Sequence, residues 1–516
     1  MHPHWSERHA MRLVLIYPDI LKGSNWSGYY YTGVGYISAV ARQAGHKVSF
    51  LHITHPLCKG EFLSLYAQAA GGEERVLAGF SATTNMFQYV KQWASWIKSV
   101  RSDPVIVGGV HPTLNAEETL GVGDIDAVCI GEGEDPIVEL LDAMERGEDV
   151  SGVRNVWIKQ NGVTHRNGLR PVIEDLDALP FPDRGIFDYA NLDCEQRGIA
   201  VFMASRGCPY DCSYCCNHAL KKVMRQGGAK TYVRFRSPEN VILEIKETVA
   251  AYGFIKSLHF DDDILPIKKK WFRAFSDLYA REVGLPFECN IRPNLIDEEI
   301  IGLLKDAGCT SLRIGVESGD SYIRNEILNR SLSEETMLRA AELCRKAGMK
   351  LYTFNMVGLP REDARARLDT LKFNARMQSD EQQVSIFFPY EGTALYDLCV
   401  SDGLMRERDV TDPFRDTSLS LPSIERNRVL FTAYFFTPLV LLYKKIFRLP
   451  PARSARLESL CDRVLSSRLF ATLLCPPLVG FVRLISKQKK LEMLARKVKR
   501  ALASPQPKST GERCNR

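Results

Sequence analysis

The stretch "SRGCPYDCSYCCNH" (residues 205–218) gathers four cysteines and a histidine into fourteen positions. Directly before and overlapping it, "IAVFMAS" (199–205) is an apolar run that reads as a buried strand. Further strand candidates follow in "IKSLHFDDD", "FECNIRP", "SLRIGVES", "KLYTFNMVG" and "QQVSIFFPY", with helical patterns starting at Pro238, Lys268, Asp297, Ser333 and Glu362. Several of those starts carry capping residues, as in "SLSEETM". Six strand–helix units predict an incomplete parallel barrel, a partial (β/α)6, whose chemistry belongs at the C-terminal ends of its strands. The crowded cysteines therefore sit on the rim where a reaction is expected.

Their spacing narrows the chemistry. Cys208, Cys212 and Cys215 are spaced C-x3-C-x2-C, with Tyr214 directly before the third. Three thiolates can hold three irons of a [4Fe–4S] cube and leave the fourth iron open for reaction. Zinc is the rival reading, with Cys216 or His218 completing a tetrahedral site. Zinc ribbons, however, split their ligands into two separated pairs. The scattered Cys58, Cys129, Cys309, Cys344 and Cys399 read as small core hydrophobes. The start "MHPHWSERHAMRLVLIYP" holds no apolar stretch long enough for a secretory signal, so the expected location is the reducing cytoplasm.

Upstream of the barrel a shorter alternation runs through "RLVLIYP", "GVGYISAVARQAGHKV", "KVSFLHI", "RVLAGFSAT", "DPVIVGGVH" and "IDAVCIGEGE". It predicts a doubly wound, flavodoxin-like α/β domain over residues 1–150. Glycines and other small residues cluster where its strands end, in "GFSATTN", "VGGVHPTLN" and "GEGED". Such residues let a large ligand approach backbone. No G-x-G-x-x-G opens the first helix, which argues against a dinucleotide.

At 516 residues, with 45% hydrophobic and 25% charged, the chain is globular and too long for one core. Residues 151–197 read as a connector, with "LDALPFPDR" (176–184) lying extended across the surface. The barrel occupies 198–424, and 425–516 form a C-terminal helical region. That last region holds 20 Lys and Arg against 5 Asp and Glu, so its net charge is +15 and the rest of the chain carries −9. Within it, "VLFTAYFFTPLVLLY" (429–443) and "LFATLLCPPLVGFVRLI" (469–485) are strongly apolar. Each falls short of the about 20 residues a spanning helix needs, and each holds proline. "KKIFR" and "KQKK" follow them, a pattern that suits helices lying in a membrane interface, or equally a helical cap packed on the barrel. No basic groove with stacking aromatics is evident, so no nucleic acid is expected.

Taken together these motifs resemble the cobalamin (B12)-binding radical S-adenosylmethionine (SAM) proteins, of the class B methyltransferase-like type. "CPYDCSYC" matches the C-x3-C-x-aromatic-C signature, while "GVGYISAVARQAGHKV", "GGVHPTLNAEE" and "DAVCIGEGE" resemble the cobalamin domain. "FFPYEGTALYD" (387–397) resembles the segment that closes the core, and the likeness covers residues 12 to about 400. The resemblance implies a cluster on Cys208, Cys212 and Cys215 whose open iron chelates SAM. It implies SAM contacts from Tyr214, Asp261, Asp262, Asn290, Arg292 and Glu317, with "NMVGLP" lining the adenine. Cobalamin would sit against Ser81, Thr83, Thr84, Gly108, Gly109, His111, Gly131, Glu132 and Gly133. The D-x-H-x-x-G motif is absent, which implies cobalt without a protein histidine; His111 nonetheless lies in a glycine-flanked loop.

The implied activity is methyl transfer to an unactivated carbon through a 5′-deoxyadenosyl radical and methylcobalamin. A cyclisation, oxidation or rearrangement with the same cofactors remains open, as does a non-catalytic cobalamin or Fe–S sensor. The implied partners are a small-molecule or lipid-like substrate and an external electron donor of flavodoxin or ferredoxin type. The implied location is the cytoplasm, with peripheral contact at the inner membrane surface.

Overall fold

The computed structural model describes residues 10–20, 27–72, 75–405 and 415–485. The N-terminal unit runs β1 (Arg12–Pro18), α1 (Thr32–Gln43), β2 (Lys47–Ile53), α2 (Lys59–Ala70), β3 (Val76–Ser81), α3 (Phe87–Lys98) and β4 (Val105–Gly108). It continues with α4 (Val110–Leu114), α5 (Ala116–Gly121), β5 (Ala127–Cys129), α6 (Glu134–Arg146), β6 (Val156–Gln160) and β7 (Val163–Arg166). These strands form one sheet in the order β2-β1-β3-β4-β5-β6-β7. The first five are parallel, and β1 is buried beyond its first residue because helices cover both faces. Order 2-1-3-4-5 places the topological switch between β1 and β3, where a crevice opens above the strand ends.

The last two strands are a difference from the sequence reading. Residues 156–166 form an antiparallel hairpin that extends the sheet edge. The "LDALPFPDR" stretch is likewise not confined to the surface. Its last residue, Arg184, is buried, donating to Glu244 at 2.8 Å and to the Val201 carbonyl at 2.9 Å, with its guanidinium 4.4 Å from the Tyr30 and Phe202 rings. A cation in an apolar surround is tolerable only with such partners, so this residue ties the two sheets together.

The second unit contains β8 (Ile199–Phe202), β9 (Ser205–Arg206), α7 (Cys216–Gln226), β10 (Arg234–Phe235), α8 (Pro238–Ala251), β11 (Ser257–Phe260) and α9 (Lys269–Glu282). Then come β12 (Phe287–Asn290), α10 (Glu298–Asp306), β13 (Cys309–Glu317), α11 (Glu334–Lys346), β14 (Lys350–Val357), α12 (Ala364–Met377), β15 (Glu381–Ile386) and α13 (Ala394–Ser401). Six parallel strands in the order β15-β14-β13-β12-β11-β8 make the expected partial barrel. Ser237, Asp297 and Ser333 each accept a backbone N–H at a helix start, satisfying an otherwise orphaned donor. Helix α12 starts at Ala364 rather than Glu362. Asp363 caps it, while Glu362 turns inward to accept the Gly358 N–H at 2.6 Å. Between strands and helices, Phe260, Phe275, Tyr279 and Phe287 pack edge to face in the core, with Phe272 tilted against Phe275. Of the five scattered cysteines, Cys58 is exposed, at the N-cap of α2; the other four are buried.

The C-terminal region holds α14 (Ser423–Phe447), α15 (Pro451–Ser466) and α16 (Phe470–Ile485). The first apolar stretch is therefore part of a 25-residue helix, longer than its composition suggested. Pro438 is accommodated because the backbone leaves helical geometry at Phe435, one turn upstream, where proline removes a hydrogen bond. Val429, Phe436, Val440 and Tyr443 of α14 pack against Leu371, Ala375 and Ile386, so this helix caps the barrel. "KQKK" (487–490) lies outside the described residues.

Candidate active site

The loop after β9 begins with a glycine for a steric reason. Gly207 has φ +88°, and a Cβ there would lie 2.6 Å from the Tyr232 carbonyl. The chain then runs through Cys208, Cys212 and Cys215 and enters α7. All three thiols line a cavity of about 400 Å³ with Tyr210, Tyr214, Asp261, Asp263, Asn290, Arg292, Glu317 and Arg330. Burial pushes the Cys208 thiol up to about 12, and Cys215 is raised by donating its thiol proton to Cys216 and then by burial. Free thiolates at Cys208 and Cys215 are thus disfavoured unless a metal centre compensates them.

The donor set fits a cluster better than a single ion. Zinc–sulfur bonds of about 2.3 Å would bring tetrahedral ligands within about 4 Å of one another. Among the described residues the one gathering of three such ligand atoms within 4.8 Å of one another is His46, Asp142 and Glu145, so the sulfurs of Cys208, Cys212 and Cys215 are not all drawn that close together. His218, the alternative fourth ligand, is held instead by Asp211 at 2.8 Å.

Other rim residues divide according to where their strands point them. Asn290 donates to the Asp262 carbonyl at 2.9 Å, leaving its own Oδ1 buried without a partner in the cavity wall, an acceptor suited to an ammonium donor. Arg292 lies over the Tyr210 ring at 3.8 Å and 3.5 Å from Cys212 Sγ. Glu317 adopts φ +63° at a register shift in β13 and pairs with Arg330 at 3.1 Å. That strained backbone aims the carboxylate into the cavity, and Gly315 is required beside it because a Cβ would meet the Arg330 guanidinium at 2.9 Å. Tyr214 accepts a hydrogen bond from the same guanidinium.

Asp262 is a correction. It is fully buried and points away from the cavity, accepting from the Ala204 N–H at 3.1 Å and from the Ser205 hydroxyl. Burial raises its carboxyl to about 6. Extended chain sends neighbouring side chains to opposite sides, so Asp261 and Asp263 face the cavity and Asp262 cannot. Arg330, Asp263 and Asn217 went unread in the sequence. Arg330 reaches the site only through a turn, but Asp263 followed from strand alternation.

A second cavity, also about 400 Å³, opens where the N-terminal sheet meets the barrel rim. Ser81, Gly108, Gly109, Gly131, Glu132 and Gly133 line one wall; Met203, Arg206, Met224 and Tyr232 line the other. Gly109 has φ +103°, and a Cβ would stand 2.8 Å from the Ala82 carbonyl, so the cradle is open because side chains cannot enter it. Glu132 closes the seam by pairing with Arg206 at 2.8 Å and Arg234 at 2.9 Å. A broad, mostly apolar slot with a glycine floor suits a large flat ligand such as cobalamin.

Thr83, Thr84 and His111 do not line this slot. Helix α4 begins directly after Gly109 and turns His111 back against Phe87, with ring centroids 4.0 Å apart. Its Nδ1 lies 3.3 Å from the Thr84 hydroxyl, and Thr83 donates to Asn85. Burial depresses the imidazole to about 4, so it stays neutral inside the fold. The two cavities nevertheless adjoin. Asn217 lines both, held by Asp263 at 2.8 Å on one side and by Tyr232 at 2.9 Å on the other.

Residues 203–373 match the Radical SAM superfamily, and residues 29–141 match the B12 binding domain. The chain is a cobalamin-binding radical SAM protein. It is an enzyme, and its cofactors are a [4Fe–4S] cluster, SAM and cobalamin. An uncharacterized methyltransferase of Pyrococcus horikoshii is 28% identical over 72% of this chain and 81% of its own. The anaerobic magnesium-protoporphyrin IX monomethyl ester cyclase of Rubrivivax gelatinosus is 26% identical over 62% of this chain, which spans 58% of that relative. Among solved structures, the cobalamin-dependent SAM radical enzyme OxsB matches with a TM-score of 0.64 at 13% identity, over 97% of this chain and 82% of its own. The radical SAM methyltransferase TsrM of Kitasatospora setae matches with a TM-score of 0.60 at 17% identity, over 76% and 75%. At those identities the likeness is one of fold.

Proposed function

We propose that this radical SAM enzyme transfers a methyl group to an unactivated carbon of a small or lipid-like molecule. Cys208, Cys212 and Cys215 hold the cluster, and the glycine-floored slot takes cobalamin. When bound, the cofactors supply a SAM-derived carbon radical and a methyl carrier. The protein's own residues bind and orient. Asn290 Oδ1 and Asp261 accept from the SAM ammonium group, Arg292 meets its carboxylate, and Tyr214 with Glu317 and Arg330 forms a rigid wall. In this reading the chain divides into a cobalamin domain (1–150), a connector (151–197), a radical SAM core (198–424) and a C-terminal region (425–516). An external flavodoxin- or ferredoxin-type donor supplies the electron, and the enzyme works in the cytoplasm.

The observation that carries the reading is the shared wall at Asn217, which sets a methyl-carrier slot beside the cluster cavity. Methyl transfer needs both within reach of one substrate carbon. The test is a count of SAM-derived products under reductant. S-adenosylhomocysteine and 5′-deoxyadenosine forming together, one for one, supports methyl transfer. 5′-Deoxyadenosine without the homocysteine product overturns it in favour of the cyclisation or oxidation reading, which the cyclase relative favours.

A further inference from the structure

Helices α15 and α16 expose an apolar face that a globular surface ordinarily hides. On α15, Leu457, Leu460 and Val464 recur at i, i+3 and i+7 and are all exposed, and no residue of the helix is fully buried. On α16 only Ala471, Cys475 and Val479, one turn apart, are buried. The rest of that helix stays apolar: Leu473, Leu474, Leu478, Phe481, Leu484 and Ile485 face outward, with Phe481 61% and Leu484 63% exposed. Exposed apolar residues in such a contiguous run mark a docking surface.

The charges around this face identify its occupant. Arg453, Arg456 and Arg463 fall on the same face of α15 as the leucines by helical spacing, and all are exposed. The two acids of that helix turn the other way: Glu458 and Asp462 pair with Lys372 at 3.5 Å and 3.1 Å. Cations are thus presented outward with the leucines while anions are withdrawn. In the sequence beyond, residues 486–500 add seven Lys and Arg against one Glu. A second copy of this chain would bring the same positive charge to a symmetric contact, which disfavours self-association.

We infer that α15 and α16 form a monotopic docking face for an anionic lipid bilayer, the leucines entering the acyl boundary and the arginines meeting phosphate headgroups. Helix α15 is tied to α12 through Lys372 and α16 packs on α14, so the exposed face is turned away from the barrel. The inference rests on surface chemistry alone and is independent of the methyl-transfer reading.

The test is co-sedimentation of the full-length holoenzyme with phosphatidylcholine vesicles, with or without anionic phosphatidylglycerol, at about 0.1 M and about 1 M salt, where the Debye length falls from about 10 Å to about 3 Å. Wild type should pellet with anionic and not with neutral vesicles at low salt, and more weakly at high salt. The variant Leu473→Glu/Leu478→Glu/Phe481→Glu should bind at least about tenfold more weakly, with melting temperature and SAM cleavage in solution unchanged. Failure of wild type to pellet with anionic vesicles overturns the inference, as does equal pelleting of the variant. A vesicle-free dimer that the variant dissociates would also overturn it, assigning the face to a second copy. SAM cleavage in every sample keeps these outcomes separate from the fate of the proposed reaction.

Discussion

The two cavities at the heart of this protein have equal volumes of about 400 Å³ and opposite construction. The barrel cavity is built from chemically specific groups: three thiols, Asp261, Asp263, Arg292, Glu317 and Arg330. The slot beside it is built largely from what is missing, glycines at 79, 108, 109, 131 and 133 beneath walls of Leu, Ile, Val and Met. The first kind of site recognises through donors and charge; the second recognises through shape. Substitutions should therefore act differently in the two.

The largest effect is expected at the thiols. Replacing Cys208, Cys212 and Cys215 with Ala should abolish the anaerobically reconstituted cluster, read as iron content and visible absorbance, while Cys216→Ala should retain it. Loss of iron from the Cys216 variant alone would mean that the loop uses a different ligand set.

In the slot, loss should follow from adding atoms. Gly108 has an ordinary backbone, and an added Cβ would meet nothing closer than Cys129 at 3.8 Å. Gly108→Leu should fill the floor and weaken cobalamin binding at least about tenfold, roughly 1.4 kcal/mol, without unfolding the domain. Gly109→Leu should instead destabilise the domain by about 2 kcal/mol or more, through its positive φ and the Ala82 contact. Cobalamin titration and chemical denaturation of both variants separate the two effects. Equal behaviour would show that the floor is not shaped by side-chain absence.

The comparison extends to pH with opposite signs. His111, beneath the slot, is depressed by burial from 6.5 to about 4. The unfolded chain then binds the extra proton between those values, so this group's contribution is complete above about 6.5 and falls as pH drops towards 4, by about 3 kcal/mol. Asp262, beneath the barrel rim, is raised by burial from 3.8 to about 6. There the native state holds the extra proton, so its contribution is complete below about 3.8 and is lost as pH rises through 6, also by about 3 kcal/mol. Denaturation curves between pH 4 and 7 should show the acid-side loss shrinking in His111→Phe and the alkaline-side loss shrinking in Asp262→Asn. A slope unchanged by either substitution would remove that residue's role.

The smallest expected effect is none. Since His111 packs on Phe87 outside the slot, His111→Ala should leave the electron paramagnetic resonance spectrum of bound Co(II) unchanged. Loss of a nitrogen splitting in that variant would place the imidazole on cobalt after all.

Much of this was legible because it is local. Three cysteines within eight residues form a short tether whose ligand geometry hardly depends on the rest of the fold, and alternating strand and helix periods encode a parallel architecture. Glycines at strand ends marked Gly108, Gly109, Gly131 and Gly133 for the same reason. Asp262 was misread, although the strand's period of two should have separated it from Asp261. His111 was misread because the chain turns into α4 directly after Gly109, and Thr83 and Thr84 because the chain after β3 turns into a short 3-10 helix over Thr84–Met86; periodicity holds no information on where a loop sends its side chains.

Ligand type, cofactor class and layer order follow from short-range spacing and hydrophobic period, which act between residues near in sequence. The neighbourhood of the two cavities at Asn217, the buried Arg184 tie between sheets and the outward face of α16 arise from contacts between residues far apart in the chain. Such contacts depend on how the sheets dock and which helix faces find partners. Alternation separates Asp262 from Asp261, but only the packing of the strands decided that Asp262 is the buried one and Asp261 the one that lines the cavity.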